Sequence, residues 1–141
     1  MSKCIYCGQE GERHHIIFRR NGGLDIALNR IYLCEKHHRG KLGPHKNKRE
    51  DIRLKLYLQE EFINLFKKEY YSIGEIAKLL CLNGGQTKKI AKEVISDNFK
   101  YSRFDLIKYL MGGRFYSEYM LDEDYDESWN CYDDDYYKLV L

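Results

Sequence analysis

Apolar positions along this chain change their spacing twice, and each change marks a different kind of structure. Residues 1–45 hold short apolar pieces separated by Gly8, Gly11, Asn21-Gly22-Gly23, Gly40 and Gly43-Pro44. Ile16-Ile17-Phe18 and Ile31-Tyr32-Leu33 read as short strands joined by the Asn21-Gly22-Gly23 loop, and a helix is expected to begin near Glu35. From about Asn47, Ile52, Leu54, Leu56, Leu58, Phe62, Ile63, Leu65 and Phe66 include helical spacings, with no Gly or Pro until Gly74. This predicts a linking helix over 51–69, with packing as its simplest role.

The third stretch is built from shorter helices. Ser72-Ile73-Gly74-Glu75 has the form of a capping box ahead of Ile76, Ala77, Leu79 and Leu80. A turn through Leu82-Asn83-Gly84-Gly85 leads to an amphipathic helix over Gln86–Ile95. Phe99–Phe104 alternates like a short strand, and Asp105–Leu110 returns to helical spacing. Two helices about a Gly-containing turn fit a helix-turn-helix, and a plain helical bundle is the alternative. The order over 70–113 resembles the winged helix-turn-helix of excisionase-like and MerR-like DNA-binding domains. Residues 114–141 form an acidic, aromatic tail that is expected to be disordered or loosely docked, unless it covers a basic surface as a mimic of nucleic acid. The expected class is therefore α+β.

Composition sharpens this picture in two ways. The net charge of +2 conceals a basic front and an acidic end. Residues 1–68 carry 15 Lys and Arg against 8 Asp and Glu, whereas residues 121–141 carry 1 against 8. A basic front favours a polyanionic partner. No apolar run approaches the length of a membrane span, and Met1-Ser2-Lys3-Cys4 has no apolar leader region, so an intracellular, cytoplasmic protein with no membrane partner is expected. In a reducing compartment, paired cysteines point to metal binding rather than to disulfides. Cys81, within an apolar helical pattern, is expected to be a small core residue, and Cys131 has no evident partner.

Cys4-Ile5-Tyr6-Cys7 and Cys34-Glu35-Lys36-His37 have the two-residue gaps of a zinc clamp. Cys4, Cys7, Cys34 and His37 make a closed Cys3His set, which is the form of a structural Zn2+ site. His14, His15 and His38 are left over. Glu12 could orient a metal shell and His45 could touch metal or phosphate, though both also fit a plain surface.

Glu12-Arg13-His14-His15-Ile16-Ile17, Leu28-Asn29-Arg30-Ile31-Tyr32-Leu33-Cys34 and Glu35-Lys36-His37-His38-Arg39-Gly40 resemble the His-Asn-His core of the HNH endonucleases, particularly the small phage-type members. The resemblance covers residues 4–50, and His37 stands where that family usually has Cys. It implies a zinc-bound ββα-metal nuclease domain over 1–50, encoded by a phage and acting in a bacterial host. On that pattern His14 and His38 hold a catalytic divalent metal (Mg2+, Mn2+, Ni2+ or Zn2+), His15 is the general base and Asn29 orients it. Arg19, Arg20, Arg39 and Lys41, with Gln86, Thr87, Lys88 and Lys89 of the second helix, are the expected DNA contacts. The implied reaction is hydrolysis of DNA phosphodiesters, by nicking or double-strand cleavage. The alternative is a zinc-stabilised DNA-binding or inhibitory phage protein without nuclease activity. A double-strand cut would require two active sites, so a homodimer or a phage assembly partner is the further expectation.

Overall fold

A computed structural model describes residues 2–141 of the chain. The architecture is α+β, with two separate two-stranded antiparallel sheets and helices around them. Strands β1 (Glu12–His15) and β2 (Arg30–Leu33) pair with Glu12 opposite Leu33 and His14 opposite Ile31. One helical turn, α1 (Glu35–His38), follows β2 directly.

The first strand is displaced from its expected place. Ile16-Ile17-Phe18 lies beyond the end of β1, because the Asn29 side chain takes both the N–H and the C=O of Ile17 at 2.8 and 3.0 Å. With its backbone groups committed to an amide, that segment cannot extend the ladder. Ile16 and Ile17 turn into the core instead.

Helix α2 (Lys48–Leu65) is the long element of the chain. It begins ahead of the expected residue 51 because the Asn47 side chain accepts from the Glu50 N–H at 3.1 Å, satisfying one of the free donors of the first turn. It ends at Leu65, short of the expected 69, and the Phe66 ring packs edge-on against Tyr71, with centroids 5.2 Å apart. Leu58 and Phe62 are fully buried in an apolar cluster that also holds Ile16, Ile17, Ile76, Ile90 and Leu106. The helix thus lies at the centre of one continuous core. A second, much smaller cluster contains Cys4, Leu33 and Cys34.

Strands β3 (Tyr70–Ser72) and β4 (Lys100–Ser102) form the other sheet, with helices α3 (Ile73–Leu80) and α4 (Gly84–Glu93) between them and α5 (Arg103–Leu110) after. The capping box read from Ser72 and Glu75 is present, with each side chain bonded to the other's backbone N–H. Asn83 and Gln86 make a second box, so α4 starts at Gly84 rather than at Gln86. Cys81 corrects the expectation of a core residue. It is exposed, and it ends α3 in the left-handed region at φ 53°, beyond the last buried position Leu80.

The tail is packed against the body, where disorder or loose docking was expected. Helix α6 (Asp133–Val140) places the Tyr137 ring on Phe115, with centroids 4.5 Å apart. The Tyr137 hydroxyl donates to the Tyr116 carbonyl and accepts from Gln59 Nε2 at 3.0 Å. Aromatic residues supply the apolar area that the acidic composition lacks, and their hydroxyls find partners as they are buried. Among the described residues, no helix is long and apolar enough to cross a membrane.

The capping box gives a direct test of the α3 start. Ser72→Ala should lower unfolding stability by about 1 kcal/mol, read as a shifted urea midpoint with an unchanged slope.

Candidate metal centre

Two groups of potential ligands stand on either side of α1, and adjacent residues of that helix enter each. In the first, Cys34 Sγ lies 3.2 Å from His37 Nδ1, Cys4 Sγ lies 3.5 Å from the same nitrogen, and the Cys7 and Cys34 sulfurs are 3.6 Å apart. A sulfur separation of that size is far too long for a disulfide. It fits a tetrahedron, since zinc–sulfur bonds of about 2.3 Å put two ligands roughly 3.8 Å apart. These four side chains form a cluster that could hold a metal such as zinc. Burial opposes ionisation of Cys4, but hydrogen bonds from the backbone of Cys34, Tyr6 and Cys7 outweigh it and bring the thiol down to about 6. The ligating thiolate is therefore favoured near neutral pH. The Tyr6 hydroxyl donates to Glu50 on α2 and ties this knuckle to the rest of the fold.

The second group is His14, His38 and His45. His14 Nδ1 and His45 Nε2 approach His38 Nε2 at 3.1 and 2.8 Å. His14 and His38 are buried, while the ring of His45 stacks on Phe18 at 5.3 Å. Burial, reinforced by neighbouring His38 and His45, pushes His14 down to about 3, so it stays neutral and able to donate a lone pair. His45 is shifted in the same direction, again chiefly by burial. His14 Nε2 is buried without a hydrogen-bond partner. The other nitrogen of His38 contacts Glu12 Oε1 at 2.6 Å, and Arg39 Nε donates to the same oxygen at 2.8 Å. Arg39 and His38 hold the Glu12 carboxyl below its usual range. A carboxylate that fixes the tautomer of a histidine whose opposite nitrogen faces the cluster is the usual outer arrangement of a metal site. The donors thus fit a divalent ion, and His45, whose sequence context fits ligand and surface alike, is brought in as a third imidazole.

His15 is next to His14 but has a different partner. Its Nε2 lies 2.9 Å from Asp25 Oδ1, and Arg30 and Arg13 approach the same oxygen at 3.6 and 4.0 Å. His15 and then the two arginines keep the Asp25 carboxyl below its usual range. The side-chain partner of His15 is thus Asp25 and not Asn29. Asn29 is 2% exposed, its amide oxygen accepts from the Ile17 N–H, and both N–H donors of its amide go to backbone, to the Ile17 carbonyl and to the Leu24 carbonyl at 2.9 Å, so it donates nothing to His15. It shapes the loop that delivers Asp25. Gly23 is part of the same arrangement, because a Cβ there would sit 1.9 Å from the Ile17 carbonyl oxygen. Asp25 was not found from the sequence, since a single acid in a loop carries no spacing signal.

The expected polyanion contacts divide into two sets. Arg19, Arg20 and Lys41 are exposed, Arg20 lying over the Phe18 ring that stacks on His45, and Arg39 is exposed with one nitrogen on Glu12. Gln86 and Thr87 use their polar atoms locally. Gln86 caps α4 and donates to the Asp25 backbone carbonyl at 3.1 Å, and the Thr87 hydroxyl donates to the Asn83 carbonyl at 2.8 Å. Lys88 and Lys89 remain exposed. The first turn of α4 is thus docked on the loop that carries the partner of His15.

No protein-family model, curated protein or solved structure matches the chain.

The two clusters should separate on metal analysis. After exhaustive dialysis, Cys34→Ser should lose the tightly held ion of the Cys3His cluster and melt at lower temperature. His14→Ala should keep that ion, as counted by elemental analysis.

Proposed function

We propose that this chain is a metal-dependent endonuclease of the HNH type, hydrolysing DNA phosphodiester bonds. The observation that carries this reading is the division of labour between adjacent strand residues. His14 joins a three-imidazole cluster, and His15 is held by Asp25. An ion bound by His14, His38 and His45 would polarise the scissile phosphate and neutralise the departing 3′ oxygen. An all-nitrogen set suits Zn2+ or Ni2+ better than Mg2+, which favours oxygen ligands.

The rest of the chemistry belongs to the chain. Asp25 accepts from His15 Nε2–H, so the lone pair lies on Nδ1, which takes the proton from the attacking water. Asp25 then stabilises the imidazolium that forms, while Arg30 and Arg13 keep the carboxylate ionised. Exposed Arg19, Arg20 and Lys41 supply phosphate contacts that position a duplex without reading its sequence. Lys88 and Lys89 on α4 extend that surface, in keeping with a targeting role for the C-terminal helices. Cys4, Cys7, Cys34 and His37 would hold a structural zinc, which would brace α1 where it presents His38.

Plasmid nicking with divalent ions, and with EDTA as the control, tests the reading. His15→Ala should reduce cleavage by about 10² to 10⁴ with duplex affinity and metal content kept, and Asp25→Asn should reduce the rate less. Absence of a metal-dependent product under every divalent ion would refute the nuclease assignment. For the second surface, Lys88→Glu with Lys89→Glu should weaken duplex binding at fixed salt and flatten its salt dependence.

A further inference from the structure

The tail contains a cavity that neither metal cluster uses. Its volume is about 500 Å³, and Glu118, Tyr119, Trp129, Tyr132, Asp133 and Tyr136 line it. Trp129, Tyr132 and Tyr136 are 43%, 73% and 58% exposed, so the core does not account for them. Anchoring of the tail belongs instead to Tyr137 on Phe115 and to Tyr119, whose hydroxyl donates to Asp133 at 2.5 Å.

The faces of aromatic rings carry negative potential and attract cations, more strongly where carboxylates stand beside them. Elsewhere the chain satisfies this preference itself. Lys48 lies over Tyr125, Lys55 and Arg114 over Tyr116, and Lys138 over Phe104. Among the described residues, no lysine or arginine stacks on Trp129, Tyr132 or Tyr136.

From these rings and the charge around them, we infer that the cavity receives an arginine side chain from a basic segment of a partner protein. A planar guanidinium can stack on an indole or phenol ring while its edge bonds a carboxylate, which an ammonium cannot do as well. The surroundings favour a peptide over a small amine. Residues 121–141 carry 8 acidic side chains against 1 basic, so the attraction reaches well beyond one cavity. The same charge repels nucleic acid. This inference is independent of the nuclease reading.

Trp129 is the only tryptophan of the chain and lines the cavity, so its fluorescence reports occupancy. The full-length protein is titrated at physiological salt with the peptide Ac-Arg-Gly-Arg-Gly-Arg-amide. The control is the same peptide with citrulline, a neutral near-isostere, in place of each arginine. A saturable change with the arginine peptide alone is expected, with affinity about tenfold weaker in the Tyr132→Ala, Tyr136→Ala double variant. Both positions are exposed, so unchanged circular dichroism is expected to accompany that loss. The inference fails if no saturable change occurs or if citrulline serves equally well. It also fails if the double variant binds as tightly as the parent, which would reduce the effect to bulk charge. Concentration-dependent self-association that shields Trp129 without peptide would identify a second copy as the occupant and overturn it.

Discussion

One buried side chain, the amide of Asn29, sets the geometry on which the histidine site depends. It fills three hydrogen-bonding positions of the loop between the first two strands, at Ile17 N–H, Ile17 C=O and Leu24 C=O. Because those backbone groups are taken, the first strand ends at His15 and the loop folds back tightly enough that Gly23 tolerates no side chain. The return path places Asp25 against His15. A substitution that removed the amide would strand three buried backbone groups, each costing about 1–3 kcal/mol.

The histidine cluster has a second dependence, on α1. This helix is a single turn of four residues, far shorter than a helix that could persist by itself. Its position is held from both ends of the His37-His38 pair. His37 meets three cysteines, and His38 meets Glu12, His14 and His45. The apolar cluster around Cys4, Leu33 and Cys34 is small, so ligand contacts carry a large share of the order in this region. The two clusters are joined through one peptide bond, and displacement of either is transmitted to the other.

The charge asymmetry of the chain is partly resolved within the fold. The tail takes up Lys48 through the Tyr125 ring, Arg49 through the Leu121 carbonyl and Lys108 through Asp134. Exposed Arg19, Arg20, Lys41, Lys88 and Lys89 are left for other partners. At the same time Gln86 links α4 to the Asp25 loop. The C-terminal helices therefore pack on the very segment that positions His15, and they share one core with it.

The elements with strong local signals were legible in the sequence. The capping box at Ser72, the long helix around Leu58 and Phe62, and the paired ligands Cys4, Cys7, Cys34 and His37 all rest on spacings within a few residues of one another. Such spacings are fixed by the geometry of a turn or a helix, so one dimension is enough to read them. The adjacency of His37 and His38 likewise marks two clusters in the sequence itself. Tertiary structure decided the rest. The contacts of Asp25, His45 and Asn29 depend on where a loop closes, and Cys81 leaves the core because α3 stops one residue earlier. The tail reversed its expected behaviour because Tyr137 found Phe115 and Gln59, residues that lie 22 and 78 positions away along the chain. Contacts of that range leave no period in a sequence, since what selects them is the shape of the surface the rest of the fold has already made.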